Sequence, residues 1–189
     1  MIQYKKYYMP GTKEELLKTI DTIDCTYDIL AGGTDLYAKE KTPFNGADAA
    51  IDISGIKEFS VIKLKKEEGL ITFGSNICIQ QFLEEKVLME NVPILRHAAI
   101  YFADQQIREM ATVGGNVANS SPSGDTIAPL TALEAVIHTI TSKDNKICEK
   151  ETPITEFITG VGKNLLEKGE VISSITCPVL KEYGCAFKK

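Results

Sequence analysis

Two glycine-bearing turns hold the residues best suited to chemistry. One is Ile29-Leu30-Ala31-Gly32-Gly33-Thr34-Asp35, and the other runs Thr112-Val113-Gly114-Gly115-Asn116-Val117-Ala118-Asn119-Ser120-Ser121-Pro122-Ser123-Gly124-Asp125. Backbone without side-chain bulk can curl round an anion, because glycine reaches positive φ and leaves its N–H groups uncovered. Two such turns in one acidic chain point to a nucleotide with two phosphates. The first reads either as a plain strand-to-helix bend with Thr34 as cap, or as a phosphate cradle at a helix start. The second gathers Asn116, Asn119, Ser120, Ser121, Ser123 and Asp125 into one long loop between apolar helices. That density of donors and acceptors is more typical of a site than of a connector. Asp125 either caps the next helix or accepts hydrogen bonds from a pair of ribose hydroxyls.

Other chemistries find little support. Gly160-Val161-Gly162-Lys163-Asn164-Leu165 lacks the third glycine of a dinucleotide fingerprint, and Asn164 stands where a P-loop needs Ser or Thr. It reads as a surface turn. The five cysteines, Cys25, Cys78, Cys148, Cys177 and Cys185, include no CxxC pair and are odd in number. They predict ordinary thiols rather than a disulfide framework or a metal centre. Neither His97 nor His138 has a sequence neighbour that would complete a metal site or activate a nucleophile, so both read as structural. No catalytic acid, base or nucleophile is assigned; Arg108, Glu109 and Lys163 read as surface or fold-supporting charges.

The elements that must position the turns follow from patterning. Thr12-Lys13-Glu14-Glu15 forms a capping box before Leu16, Leu17, Ile20 and Ile23 at helical spacing. Strands are predicted at Tyr27–Ala31 and Ala49–Ile53, which makes the opening segment β-α-β-like. Ser54-Gly55-Ile56 reads as a hinge into a second lobe. Phe59–Leu64 and Leu70–Gly74 predict a hairpin. Helices are expected around Phe82 and Leu83, and from Ile94 to Phe102 after Pro93. Asp125 heads a further helical run through Leu130, Leu133 and Ala135. A second hairpin is expected across Lys143-Asp144-Asn145, and closing strands at Val171–Thr176 and Tyr183–Lys188.

Composition bounds the rest. With 189 residues, 43% of them hydrophobic and 25% charged, the chain is of globular type and one-domain size. A net charge of −5 disfavours nucleic acid as a partner. No apolar run has the length or continuity of a leader or a membrane span. A cytoplasmic location is therefore expected, with no membrane partner.

The same residues resemble a known family. Ile29 to Leu36, Thr112 to Asn116, and Ser121-Pro122-Ser123-Gly124-Asp125 followed by Pro129 are similar to the FAD-binding subunit or domain of the molybdenum hydroxylases. That family includes xanthine dehydrogenase, carbon monoxide dehydrogenase and nicotinate dehydrogenase. Ile51 to Ile56, Phe73-Gly74-Ser75 and Glu170 to Ile175 support the likeness, in order along the whole chain. The resemblance implies an α+β, two-lobed flavin domain of the vanillyl-alcohol oxidase type. Residues 1–55 would form a small β-α-β lobe, and residues 56–189 a larger, mainly antiparallel lobe with helices. It implies noncovalent FAD between the lobes, touched by Ile29, Leu30, Ala31, Gly32, Gly33, Thr34, Asp35, Phe102, Thr112, Gly115, Asn116, Ala118, Gly124, Asp125, Ile172 and Lys188. It further implies electron transfer, with the molybdenum cofactor and 2Fe–2S iron–sulfur clusters on partner subunits, and NAD or another acceptor receiving the electrons. Family members continue into a separate C-terminal domain, whereas this chain stops at Lys189. That ending implies a split gene, a truncated piece or a reduced subunit. Its alternative reading is an FAD- or partner-binding module without redox turnover of its own.

Overall fold

A computed structural model describes residues 4–38, 46–143, 146–180 and 184–188. Its opening segment is β1 (Lys6–Tyr8), α1 (Lys13–Thr22), β2 (Tyr27–Leu30), α2 (Thr34–Ala38) and β3 (Ala49–Asp52). The three strands form a parallel sheet in the order β1-β3-β2. Ala49, Ala50 and Ile51 put β3 in the middle, since a fully apolar run suits a strand covered on both faces. Thr12 caps α1 by accepting from the Glu15 N–H at 3.2 Å. Glu15 reaches back to the Gly11 N–H at 2.7 Å, one residue earlier than the usual box.

The chain then makes a 3-10 turn (Lys57–Ser60), followed by β4 (Ile62–Lys65) and β5 (Leu70–Gly74). Phe59 was expected in β4; it lies in the turn instead, with its ring fully buried. Short helices follow: α3 (Gln81–Glu84), α4 (Lys86–Asn91), α5 (Pro93–Ile100), α6 (Gln105–Met110), α7 (Val113–Asn119) and α8 (Ile127–Ala132). Pro93 occupies the first turn of α5, where its missing N–H costs nothing. α8 begins after Thr126, not at Asp125, and stops short of Ala135. β6 (Val136–Lys143) and β7 (Lys146–Pro153) form the second hairpin. Its tip, Asp144 and Asn145, lies outside the described residues. α9 (Ile154–Phe157), a small hairpin of β8 (Ile158–Gly160) and β9 (Lys163–Asn164), and β10 (Val171–Pro178) complete the elements.

Five strands make an antiparallel sheet in the order β4-β5-β10-β6-β7. The last strand in sequence is thus the central one, and Ile172, Ile175 and Cys177 enter the larger core from it. Residues 184–188 have no regular structure, so the strand expected at Tyr183–Lys188 is absent there, and Tyr183 lies outside the described residues.

A second core joins the two sheets. Leu16, Leu17, Ile51 and Ile53 pack with Ile56, Phe59, Ile140 and Val171. Of the segment read as a hinge, Ser54 and Gly55 are exposed and Ile56 is buried, and the Asp52 carboxylate accepts from the Ser54 N–H at 2.9 Å. Among the described residues, no helix is long and apolar enough to cross a membrane.

Burial pushes the Cys177 thiol up to about 12. The thiolate is the reactive form, so alkylation at about pH 9 should leave Cys177 unmodified in the folded protein and reach it only after unfolding. Mass mapping after iodoacetamide treatment, with and without urea, checks this; modification of Cys177 in the folded protein would contradict it.

Candidate functional site

A cavity of about 620 Å³ opens between the two lobes, within the roughly 300–1,000 Å³ of small-molecule sites. Ile29, Ala31, Gly32, Gly33, Thr34 and Asp35 line it from the parallel-sheet lobe. Phe102, Thr112, Gly115, Asn116, Ala118, Gly124 and Ile172 line it from the other. Segments far apart in sequence therefore share one cleft. Leu30, Asp125 and Lys188 are not among the lining residues. The Leu30 carbonyl accepts from the Ile53 N–H at 2.8 Å within the parallel-sheet lobe, and Lys188 is exposed on the irregular C-terminal stretch.

The first turn behaves as the sequence suggests, with one correction. Thr34 is the first residue of α2 rather than its cap. Gly33 has a φ of 69°, the left-handed region that glycine enters without steric cost. Gly32 has a different reason to be glycine: a Cβ there would lie 1.7 Å from the Met110 carbonyl oxygen. Among the described residues, the N–H groups of Gly32, Gly33 and Thr34 have no protein acceptor.

The second segment is not a loop. Residues 113–119 form α7, capped by Thr112 and ended by Ser120 at φ 48°. Its leading amides are already bonded within the protein. Val113 donates to Ile77 at 2.9 Å, Gly114 to the Ser75 carbonyl at 2.9 Å, and Asn116 to the Thr112 carbonyl at 3.0 Å. Gly115 donates to Thr112 Oγ1 at 3.1 Å. Gly114 serves packing, since a Cβ there would stand 2.5 Å from Ser75 Cβ. α7 therefore offers the cleft a bare surface and side chains rather than a set of open amides.

Polar bonds lock these walls. Asn119 Nδ2 donates to Asp35 Oδ1 at 2.9 Å, across the two lobes. Asn116 Oδ1 accepts from Thr126 Oγ1 at 2.6 Å, folding the segment after α7 back onto it. The turn at Gly160–Leu165 is a hairpin that clamps the end of α7: Asn164 Nδ2 donates to the Ala118 carbonyl at 2.7 Å, and Gly162 to the Ser120 carbonyl at 2.9 Å.

Sequence reasoning missed several lining residues, among them Ser75, Asn76, Ile107, Ala111 and Glu170. Ser75 Oγ and Asn76 Oδ1 are buried with no hydrogen-bond partner in the protein, a state that buried polar groups rarely tolerate. The segments Phe73-Gly74-Ser75 and Glu170 to Ile175, which carry part of the family resemblance, were the available signals. Among the described residues the lining carries carboxylates from Asp28, Asp35 and Glu170 but no Lys or Arg, and no His or Cys. Among the described residues, the donors that an anion in this cleft could meet are therefore main-chain N–H groups and neutral side chains such as Asn116. The histidines do have neighbours, away from the cleft. His138 Nε2 is 2.7 Å from Thr176 Oγ1 and Nδ1 is 3.5 Å from Glu151, while His97 Nδ1 is 3.8 Å from Cys185 Sγ.

Two packed α+β lobes, a cleft between them and a strip of open amides define a domain that binds a phosphate-bearing cofactor. Residues 2–180 match the family described as the FAD binding domain in molybdopterin dehydrogenase, and the chain belongs to it. It is 28% identical to the glyceraldehyde dehydrogenase medium chain of Sulfolobus acidocaldarius, over 97% of this chain and 63% of that one. It is 29% identical to the nicotinate dehydrogenase FAD-subunit of Eubacterium barkeri, over 90% of this chain and 57% of the other. Among solved structures it resembles the carbon monoxide dehydrogenase of Hydrogenophaga pseudoflava, with a TM-score of 0.86 at 26% identity, covering 95% of this chain and 61% of that one. The chain thus spans about six-tenths of the length of these relatives.

Substituting Gly32 by Ala forces a Cβ into the Met110 backbone. We expect Gly32→Ala to lower the stability of the ligand-free protein by about 1–3 kcal/mol, the usual cost of overpacking. Urea unfolding measures it; a variant as stable as the parent would show that this contact has slack.

Proposed function

We propose that the chain binds FAD noncovalently in the inter-lobe cleft and serves as the flavin-bearing part of a multi-subunit molybdenum hydroxylase. The observation that carries this reading is the pairing of open amides at Gly32, Gly33 and Thr34 with a lining that, among the described residues, holds no cationic side chain. These amides would hold the diphosphate. The group fits the residues present: Ser75 Oγ and Asn76 Oδ1 lack partners at the cleft, and a sugar hydroxyl both donates and accepts. Asn116 keeps its Oδ1 on Thr126, which leaves its Nδ2 as a donor toward the cofactor. Ile29, Phe102, Ile107, Ala118 and Ile172 supply apolar wall that excludes water from a ring system.

FAD, when bound, supplies the electron exchange; the protein's part is to hold it in place and set its surroundings. Electrons would reach it from 2Fe–2S clusters on a partner subunit and leave to NAD or another acceptor, with the molybdenum cofactor on a third component. The relatives' names, "medium chain" and "FAD-subunit", support an assembly of this kind. Among the described residues, no His or Cys stands in the lining to form a covalent flavin link, which supports reversible binding.

Gly33→Val tests the cradle. A branched side chain at a φ of 69° strains the turn and covers the neighbouring amides. Flavin fluorescence titration should show affinity lower by at least an order of magnitude, which is about 1.4 kcal/mol or more. Unchanged affinity in a variant with parental circular dichroism would remove this turn as the diphosphate site. Release of some other phosphorylated ligand from the purified protein would replace FAD in the proposal.

A further inference from the structure

A strained turn beside the cleft carries an inference that rests on the flavin reading above. Ala103 has a φ of 38°, in the left-handed region that non-glycine residues seldom adopt. Such a conformation persists only where its surroundings hold it, and it concentrates at ligand sites. Here the holding group is Arg108, projecting from α6. Its Nη1 donates to the carbonyl oxygens of Phe102 at 3.1 Å and Ala103 at 3.3 Å. Its Nε donates to Gln80 Oε1 at 2.9 Å. Gln80 is itself buried and fixed: its Nε2 donates to Glu84 at 2.7 Å, and its N–H donates to the Arg108 carbonyl at 3.1 Å. A guanidinium is a rigid planar fork, so one side chain can hold two carbonyls and an amide oxygen at set angles.

The residue held this way matters to the cleft. Phe102 is 9% exposed, and it lines the cavity. α6 contributes Ile107 to the same wall and ends at Met110, whose carbonyl abuts Gly32. One short helix therefore ties the aromatic wall to the phosphate turn.

We propose that Arg108 is a positioning residue of the cofactor site: it pins the Phe102–Ala103 turn so that the Phe102 ring stands ready to pack on a flat heteroaromatic ring of the bound cofactor. FAD carries two such rings, the isoalloxazine and the adenine, and either meets the same chemistry. Removing the guanidinium lets the turn relax out of the left-handed region and moves the ring, while the amides at Gly32–Thr34 stay where they are.

The test titrates the parent, Arg108→Met, Arg108→Lys and the double variant Arg108→Met with Ala103→Gly against FAD, FMN and ADP. Unfolding midpoints and the circular dichroism of bound flavin are recorded alongside. Arg108→Met should weaken FAD about tenfold, a coupling of ordinary size for residues in one network. It should weaken one half-ligand equally and spare the other: FMN falls if Phe102 meets the isoalloxazine, ADP if it meets the adenine. Arg108→Lys should recover only part of the affinity, since an ammonium lacks the fork. Ala103→Gly in the Arg108→Met background should recover more, because glycine holds the turn without strain. Parental FAD affinity in Arg108→Met would overturn the inference. So would equal weakening of all three ligands in step with a lower unfolding midpoint, which would make Arg108 a support of the fold alone. A parent that binds none of the three ligands overturns the flavin reading itself, and this inference with it.

Discussion

Everything at the cleft depends on how closely one glycine lets two backbones approach. Gly32 lies against the Met110 carbonyl with no room for a Cβ, and the contact brings the strand-to-helix turn of the first lobe onto the corner between α6 and α7 of the second. The Asn119–Asp35 hydrogen bond fastens the same two segments from the other side. Behind them the shared core of Leu16, Leu17, Ile51, Phe59, Ile140 and Val171 keeps the lobes from swinging apart. Burial of that many large apolar groups stabilises far more than any single polar link. The hydrogen bond therefore sets register, and the core supplies the strength.

The two glycine turns turn out to have unlike jobs. In the first, Gly33 gives the conformation, Gly32 gives the close approach, and three amides are left open. In the second, Gly114 and Gly115 lie in the first turn of α7, where Gly114 fits against Ser75 and Gly115 bonds its own cap. With Asp28, Asp35 and Glu170 among the lining residues, and with α7's leading amides bonded, the proposed diphosphate contact rests on one short stretch of main chain. Amide N–H groups can meet an anion without offering the neighbouring carboxylates a cation to pair with.

Much of this was legible before any coordinates. The strand ending in Gly32-Gly33, the β4–β5 hairpin and the proline-led α5 each carry a local signal that tertiary structure had no reason to override. α7 was not legible, because Val113-Gly114-Gly115-Asn116-Val117-Ala118-Asn119 has two glycines and two asparagines, all poor helix formers. It is helical because Thr112 caps it and because Ser75 and Ile77 take its first amides. α6 was missed because it is polar and short. The central place of β10 was invisible for another reason: strand order is a long-range property, and an apolar run looks the same at an edge or in the middle. Of the residues implied by family resemblance, those that reach the cleft lie on the two turns, on Phe102 and on Ile172. Ser75 and Asn76 escaped notice because an orphaned polar atom is defined by what surrounds it.

In the proposed function, a cofactor's diphosphate is held by the amides of Gly32, Gly33 and Thr34 and not by those of α7. Following backbone amide resonances while FAD is added to isotopically labelled protein tests it most directly. Large downfield shifts at Gly32, Gly33 and Thr34, with Gly114 and Gly115 nearly still, are the predicted result. Large shifts at Gly114 and Gly115, with the first turn unmoved, would contradict it.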